Sequence, residues 1–547
     1  MNKLKWWYIL IAVITITTCT LVHQKKGYFN WQSEIWTDQA GYYAYNPYFF
    51  IYDLDASAFP ERIDERTGIG FRVVEGKMKT KYTSGVAALQ LPFFILVDIY
   101  VQLSGGVRDG FSGAYHKVIN FSALFYFLAA LYLLIPVLRH YFTERNSIIY
   151  LVLLTFGTNV FYYTVAQNGM SHIYSFFLFI AFWRIVHELF IFKHKKNYLF
   201  FLLALTFGLI ILIRPINLLI LLLLFWNISS KADLLARLKY CLAPKRIIPA
   251  VLIIGLTLLP QFLYWHSISG EWINYSYGEE GFIYKYNPQL LAFWFAPKNG
   301  MFPYTPLLLL AVIFLIYYSV KGRINAIIGL VFFLLISYIS ASWHQYYFGC
   351  GFGARNMVEY APFLVFPLVQ FIHHVKPKIL RFTYPLLGLF TLACLTTMYN
   401  YNYCFGGDRW DWKYYLSYYQ LRSQHEAITF EEPVEILPGA FSKALELKGR
   451  NNSLVDDQIC SIWAEIKSKH ALTESTLVFS SSNDSGKVVM WSGFPLKDQF
   501  STPNTYQNYY INIGKSNEEL NGQHLQCYLW NQGSDTLYLK SLRLKID

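Results

Sequence analysis

The chain has 547 residues, 54% of them hydrophobic and 19% aromatic against 15% charged, with a formal net charge of +12. That apolar load exceeds what one water-soluble core takes up, so most of the chain belongs in lipid and a soluble enzyme is excluded. The basic residues fall in short clusters between apolar runs, as orientation determinants do, and imply no nucleic-acid partner. The cysteines are scattered without a CxxC pair, which supports neither a zinc site nor a thioredoxin-like motif. Cys460 and Cys527 are a candidate disulfide if the C-terminal region lies in an oxidising compartment.

Trp6 to Val22 is apolar and follows Lys3 and Lys5; with no A-x-A cleavage signal after it, it reads as a retained membrane anchor. Residues 23–117 form a long mixed loop rich in aromatics, with one apolar run from Val86 to Leu103. Hydrophobic segments follow at 118–138, 147–165, 172–192, 198–228, 247–267, 305–320, 324–341, 357–374 and 380–399. The basic short loops at Arg139/Arg145, Lys193/Lys195/Lys196, Lys231 to Arg246, Lys321/Arg323 and Lys376/Lys378/Arg381 belong inside. With the N-terminus inside, this requires the run at 86–103 to lie on the outer surface as an amphipathic or re-entrant helix. It also requires 198–228 to pass twice, turning at Arg214-Pro215. The expectation is an α-helical polytopic domain over residues 1–400 with about eleven transmembrane helices in the cytoplasmic (inner) membrane. Each half of 198–228 has only about 15 residues, short of the ~20 that cross the hydrocarbon, which leaves a recess at the outer face.

After a connector at 401–429, residues 430–547 change to the pattern of soluble strands. Leu537, Leu539, then Leu542, Leu544 and Ile546 alternate with polar neighbours, and Cys460, Ile462, Ala464 and Ile466 do the same. This predicts an all-β sandwich of about 115 residues outside the membrane, a candidate carbohydrate-binding domain or holder of a lid.

On this topology the unusual polar groups collect at the outer face. Asp38, in Trp36-Thr37-Asp38-Gln39-Ala40-Gly41-Tyr42-Tyr43, is the candidate for chemistry; the competing reading is that Thr37 or Asp38 caps a helix from Gln39 to Tyr48. Lys81-Tyr82, Asn168 to His172, Arg214-Pro215, Pro297-Lys298-Asn299-Gly300, Trp343-His344 and Gly349 to Arg355 lie in the outer loops or at their turns. Cations here run against the positive-inside bias and invite a functional explanation. The plainer alternatives are snorkelling for Arg214 and Arg355 and hydrogen-bonded interfacial imidazoles for His172 and His344. One acid among several cations suits transfer of a group from a lipid phosphate. The leaving phosphate needs cations to hold it, and the poorly nucleophilic acceptor hydroxyl needs a base, for which Asp38 is the candidate. Tyr42, Tyr43, Trp272, Tyr275 and Tyr277 offer flat faces that suit sugar rings, although aromatics also crowd any membrane interface.

The order Asp38, Lys81-Tyr82-x-x-Gly85 with Pro92 following, His172, Arg214-Pro215, Pro297-Lys298-Asn299-Gly300 leading to Tyr304-x-Pro306, and Gly353-Ala354-Arg355 resembles the GT-C superfamily of integral-membrane glycosyltransferases. The likeness covers roughly residues 1–400 and is greatest to bacterial members similar to protein O-mannosyltransferases and lipid A aminoarabinose transferases. It implies a polyprenyl-phosphate sugar donor, a glycan, lipid or protein acceptor, and inversion at the sugar. It also implies that Asp38 is the catalytic acid and that Lys81 and Arg355, with Lys298, bind the donor phosphate. Tyr42, Tyr82, His172, Arg214 and His344 are the candidate substrate-binding residues. Two positions depart from the pattern: Gln39 stands where many relatives have a second acid, and Tyr82 where the aminoarabinose transferases have proline. No cofactor is implied, and a divalent cation lacks a paired-acid motif to hold it. The alternatives of another class are a transporter or flippase, or a non-catalytic binding protein, for lipid-linked sugars. A transporter usually shows internal repeats and broken helices at the midplane, and no repeat is visible here.

Overall fold

The computed structural model describes residues 3–24, 33–194, 196–401, 411–419, 427–448, 457–469, 474–496, 504–516 and 523–546. The N-terminal region is helical. Among the described residues, seven helices are long and apolar enough to cross a membrane: Lys3–His23, Gly85–Leu103, Gly113–Tyr141, Ser171–Ile191, Pro244–Ser269, Ile324–Ser342 and Pro377–Asn400. Four shorter apolar helices accompany them, at Asn197–Ile213, Pro215–Phe225, Leu307–Val320 and Ala361–His374. The chain is a multi-pass membrane protein.

The run 198–228 is two elements that turn back on each other at Arg214, whose backbone is extended (φ −150°, ψ 110°). Phe200, near the start of the first, packs on Tyr240 at 5.9 Å, and Arg237 of the same short helix donates to the Trp226 carbonyl just beyond the second at 2.8 Å. The ends at 200 and 226 therefore lie together, while Ile213 lies at the other end, accepting from Thr83 Oγ1 at 3.1 Å. Pro215–Phe225 winds as a 3-10 helix. At ~2.0 Å rise per residue its eleven residues reach ~22 Å, where an α-helix would reach only ~16 Å.

Gly85–Leu103 keeps to the same end as Ile213. Leu89 and Phe93 meet Tyr126, halfway along Gly113–Tyr141, and Asp98 accepts from Tyr115 near that helix's start (2.7 Å). A Cβ on Gly85 would lie 2.7 Å from the Ile213 backbone, so glycine is what allows the helix to begin there. The segment expected at 147–165 is interrupted: Glu144–Phe156 and Val160–Val165 are separate helices on either side of Gly157-Thr158-Asn159. The helix from Gln39 to Tyr48 that the competing reading of Asp38 supposed is likewise two, Asp38–Tyr43 and Tyr45–Phe50. Between 50 and 85 the chain forms a small hairpin, β1 (Arg72–Val74) with β2 (Lys77–Lys79), turning at Glu75-Gly76 with both φ positive (53° and 71°), as a two-residue hairpin turn requires.

The C-terminal region is a sandwich of two four-stranded antiparallel sheets. Its strands are β3 (Ala427–Ile436), β4 (Leu445–Lys448), β5 (Asp457–Lys467), β6 (Ser475–Ser482), β7 (Val488–Pro495), β8 (Gln507–Ser516), β9 (His524–Asn531) and β10 (Leu537–Ile546). The sheet orders are β3-β10-β5-β8 and β4-β9-β6-β7. Cys460, Ile462, Ala464 and Ile466 of β5 and Leu537, Leu539, Leu542 and Leu544 of β10 fill the core. The alternation in β10 skips a beat between Leu539 and Leu542 because a bulge between Leu539 and Ser541 shifts the register against both neighbours. Cys460 and Cys527 are both buried, one in each sheet, and form no disulfide with each other, which answers a pairing the sequence left open. Cys350 is disulfide-bonded. Of the connector at 401–429, Tyr401, residues 411–419 with the short helix Trp412–Ser417, and the start of β3 are described; the rest lies outside the described residues.

Candidate active site

Asp38 opens a helix whose preceding residue, Thr37, has φ 44° and ψ −122°, an unfavourable conformation for a β-branched residue that only its surroundings can hold. Those surroundings are the 67–70 loop: Thr37 N–H donates to Thr67 O at 2.8 Å, and Gly70 lies so close that a Cβ there would stand 1.7 Å from Thr37 O. Thr37 makes no side-chain cap, and the Asp38 carboxylate is turned away from the helix. Its Oδ1 accepts from Tyr82 Oη, and its Oδ2 faces Arg355 Nη2 at 3.3 Å. The Asp38 side chain is 28% exposed and that of Arg355 18%. The capping alternative is not what the carboxylate does.

Tyr82 reaches Asp38 because residue 41 is glycine; a Cβ there would lie 2.4 Å from the Tyr82 ring. The Tyr82 ring packs on that of Tyr42 at 4.4 Å, and Tyr42 Oη donates to Ser171 Oγ at 3.3 Å. Burial, then the nearby Asp38 carboxylate, raises the Tyr82 phenol well above its ordinary range, so the hydroxyl stays protonated as a donor.

Arg355 is held by its own loop. Asn159 Nδ2 donates to Ala354 O at 3.2 Å, Phe352 N–H donates to Tyr163 Oη at 2.9 Å, and Gly353 (φ 60°) sits against Tyr304, where a Cβ would meet the Tyr304 Cβ at 2.9 Å. The break at Gly157–Asn159 thus presents Asn159 and Tyr163 to the arginine's loop. Burial opposes the charge on Arg355, but the Asp38 carboxylate together with the nearby Tyr163, Tyr42 and Tyr82 hydroxyls outweighs it and raises the pKa further.

Lys81 lies beside this pair with its Nζ 2.7 Å from Glu280 Oε1, flanked by the rings of Tyr82 and Tyr277 at 5.7 and 5.6 Å. Arg214 does not snorkel. Its Nη1 is 3.2 Å from Glu359 Oε1 and its Nη2 donates to Asn356 Oδ1 at 2.8 Å. His172 Nδ1 lies 3.1 Å from the other Glu359 oxygen, and Asn217 Nδ2 also reaches Glu359, at 3.4 Å. Sequence reasoning missed Glu359; the signal available was an acid inside the otherwise apolar run 357–374. Gln39, in the place of a second acid, accepts the Gly169 N–H at 2.8 Å and so fixes the short loop before His172.

The structure therefore brings Asp38, Tyr42, Lys81, Tyr82, His172, Arg214 and Arg355 into one cluster at one end of the helices. Lys298 and His344 make other contacts. Lys298 Nζ stands over the Tyr347 ring at 3.9 Å, and His344, beside Trp343, donates its backbone N–H to Gly281 O at 2.9 Å. Of the other aromatics, Tyr277 flanks Lys81, Tyr275 hydrogen-bonds the Glu280 carbonyl, Trp272 stacks on His266, and Tyr43 donates to Gly110 O away from the site. Among the described residues no three His, Cys, Asp or Glu side chains converge as a metal site. Chemically, the cluster combines a partly open carboxylate with cations at its side.

No family model matches the chain, and no curated protein does. Solved structures of low similarity do match. The apo oligosaccharyltransferase of Archaeoglobus fulgidus has 12% identity and a TM-score of 0.41 over 72% of this chain and 55% of its own. The oligosaccharyltransferase AglB of the same organism, in complex with an inhibitory peptide and a dolichol-phosphate, has 16% identity and a TM-score of 0.38 over the same shares. The arabinosyltransferase EmbB of Mycobacterium smegmatis has 10% identity and a TM-score of 0.34 over 98% of this chain and 64% of its own. The chain spans about half the length of the two archaeal structures.

Proposed function

We propose that the chain is a membrane glycosyltransferase that moves a hexosyl or pentosyl group from a polyprenyl-phosphate donor to a glycan, lipid or protein acceptor on the outer side of the membrane, with inversion. The observation that carries this reading is the Asp38 carboxylate, partly open, set between a phenol and a guanidinium with Lys81 alongside. A cap or a buried ion pair would leave no edge for a substrate; this carboxylate keeps one.

In the proposed reaction Asp38 takes the proton of the acceptor hydroxyl as its oxygen bonds to the anomeric carbon. The carbon–oxygen bond to the phosphate breaks on the opposite face, and the electron pair leaves with the phosphate, which Arg355 and Lys81 hold as an anion. Arg214, tied from behind by Glu359 and Asn356, is fixed to meet the substrate from the side of Tyr42. The β-sandwich, as an acceptor-glycan holder, completes the reading.

The test uses the full chain in lipid nanodiscs with a polyprenyl-phosphate sugar, reading transfer by mass spectrometry. Asp38→Asn should melt as the wild type does and lose about 10²–10⁴ in turnover. A stable Asn variant that still transfers sugar rules the mechanism out. Lipid-linked sugar crossing the bilayer equally well in both proteins, with no product from either, would favour a flippase.

A further inference from the structure

Lys81, the lysine assigned above to the donor phosphate, already carries an anion from its own chain. Glu280 comes from the loop that follows the Pro244–Ser269 helix, 199 positions away in sequence, and its carboxylate sits 2.7 Å from the ammonium. Two further contacts seat the loop there: Ser276 Oγ donates to Lys81 O at 2.8 Å, and Tyr277 covers the ammonium at 5.6 Å; within the loop Tyr275 Oη donates to Glu280 O. Beyond them the loop also meets the 341–344 segment: His344 N–H donates to Gly281 O at 2.9 Å, Tyr284 N–H donates to Ser342 O at 3.0 Å, and Tyr277 and Phe282 pack on Trp343. Ile273, Ile283 and Tyr286 are 74%, 64% and 90% exposed, and a Cβ on Gly278 would meet nothing within 4 Å.

We infer that Glu280 is an internal competitor for the donor's anion site, an affinity-determining residue that the phosphate group of a lipid-linked donor must displace from Lys81. The inference rests on the proposed function above. An ammonium shared by a carboxylate and a phosphate brings two anions against each other, so Glu280 leaves or weakens its hold as the phosphate arrives. The pair suits exchange because both side chains are about one-third exposed (34% and 36%), where an ion pair is weak. When Glu280 leaves, only its side chain moves off the ammonium; Ser276 on the Lys81 carbonyl and Tyr277 on Trp343 keep the loop seated. Glu280 thus keeps the cation neutral until a stronger anion comes.

The experiment measures binding of farnesyl phosphate, with inorganic phosphate and farnesol as companions, to the full chain in nanodiscs. Glu280→Gln should tighten farnesyl phosphate about two- to five-fold, the reverse of what an exposed pair is worth. Glu279→Gln, which removes an equal charge from the same loop, should change it less than that. Lys81→Met should weaken it, and adding Glu280→Gln to Lys81→Met should change nothing further, because the two act through one contact. Inorganic phosphate should follow the same rank order at higher concentration, and farnesol should follow none of it. If Lys81→Met weakens binding but Glu280→Gln does not tighten it, the competitor role is overturned and the donor assignment stands. Binding unchanged in Lys81→Met removes the donor assignment of Lys81 and this inference with it. Equal effects of Glu279→Gln and Glu280→Gln, or a rank order shared by farnesol, also overturn it.

Discussion

Glu34 and Asp38 share one short stretch after the first helix, yet their surroundings are opposite. Glu34 is 3% exposed and has three partners: His23 Nδ1 lies at 2.6 Å, His116 Nδ1 at 3.0 Å, and Asn120 Nδ2 donates at 3.0 Å. Asn168 extends the network, donating to Asn120 Oδ1 at 2.7 Å, so this acid joins the first helix, the Gly113–Tyr141 helix and the loop before His172. Asp38 is 28% exposed and uses two bonds of the roughly four that a carboxylate accepts. The difference teaches that burial among several partners marks the acid that ties helices together, and that a free edge beside cations marks the acid available to a substrate. Burial alone would push the Glu34 carboxyl up, but His23 and His116 outweigh it and hold it well below the ordinary carboxylate range.

Exchanging the roles of these two acids gives the largest effects. Asp38→Asn should remove turnover and leave the melting temperature; Glu34→Ala should do the reverse, costing about 1–3 kcal/mol by removing the buried acceptor that His23, His116 and Asn120 share. Thermal unfolding in nanodiscs, with transfer normalised to folded protein, separates them. A Glu34→Ala protein as stable as the wild type would erase the distinction. Glu34 also predicts a pH dependence. Its folded pKa lies below the unfolded one, so its stabilisation is complete above about pH 4.3 and is lost as pH falls through the folded value. The wild type should therefore lose more stability than Glu34→Gln on acidification below that point. Parallel acid melting curves would contradict it.

The second effect tests the cation side of the open acid. Arg355→Ala should weaken polyprenyl-phosphate binding by about 1.5–3 kcal/mol, the worth of a charge-assisted bond, and Arg355→Lys should restore part of it, because a charge remains without the planar fork. Calorimetric titration of the lipid reads both. Equal affinity in wild type and both variants would confine Arg355 to holding Asp38.

How much of this was legible depended on whether the signal was local. The strands of the sandwich show in the alternation of Cys460 to Ile466, and even the bulge shows as the missed beat between Leu539 and Leu542. The turn at Arg214-Pro215 follows from charge bias and segment length, and Asp38, Lys81 and Arg355 stand out as polar residues in an apolar chain. What did not show depends on contacts across the chain. Glu280 meets Lys81 across 199 positions, and Glu359 hides in an apolar run until Arg214 and His172 arrive from other helices. Glu34 and Asp38 look alike in sequence because their difference lies in partners from elsewhere: His116 and Asn120 for one, Tyr82 and Arg355 for the other. Whether Cys460 and Cys527 pair could not be read from sequence, since sharing a domain does not say which sheet each strand joins; they stand in different sheets and form no disulfide.

The smallest predicted effect asks how Asp38 keeps its edge pointed at a substrate. Tyr82 Oη donates to one carboxylate oxygen and Arg355 approaches the other, so the plane of the carboxylate is set by two groups of different kinds. Tyr82→Phe removes only the hydroxyl and leaves the ring packed on Tyr42 and against Gly41. If the phenol serves positioning, turnover should fall by the worth of one hydrogen bond, about 0.5–1.5 kcal/mol or roughly two- to twelve-fold, with donor affinity unchanged. Tyr42→Phe, whose lost bond goes to Ser171 and not to the carboxylate, should leave turnover near the wild-type value. The split between turnover and affinity decides the matter: a Tyr82→Phe protein that binds donor more weakly but turns over normally would make the phenol a substrate contact, and one indistinguishable from the wild type would leave Arg355 alone to orient Asp38.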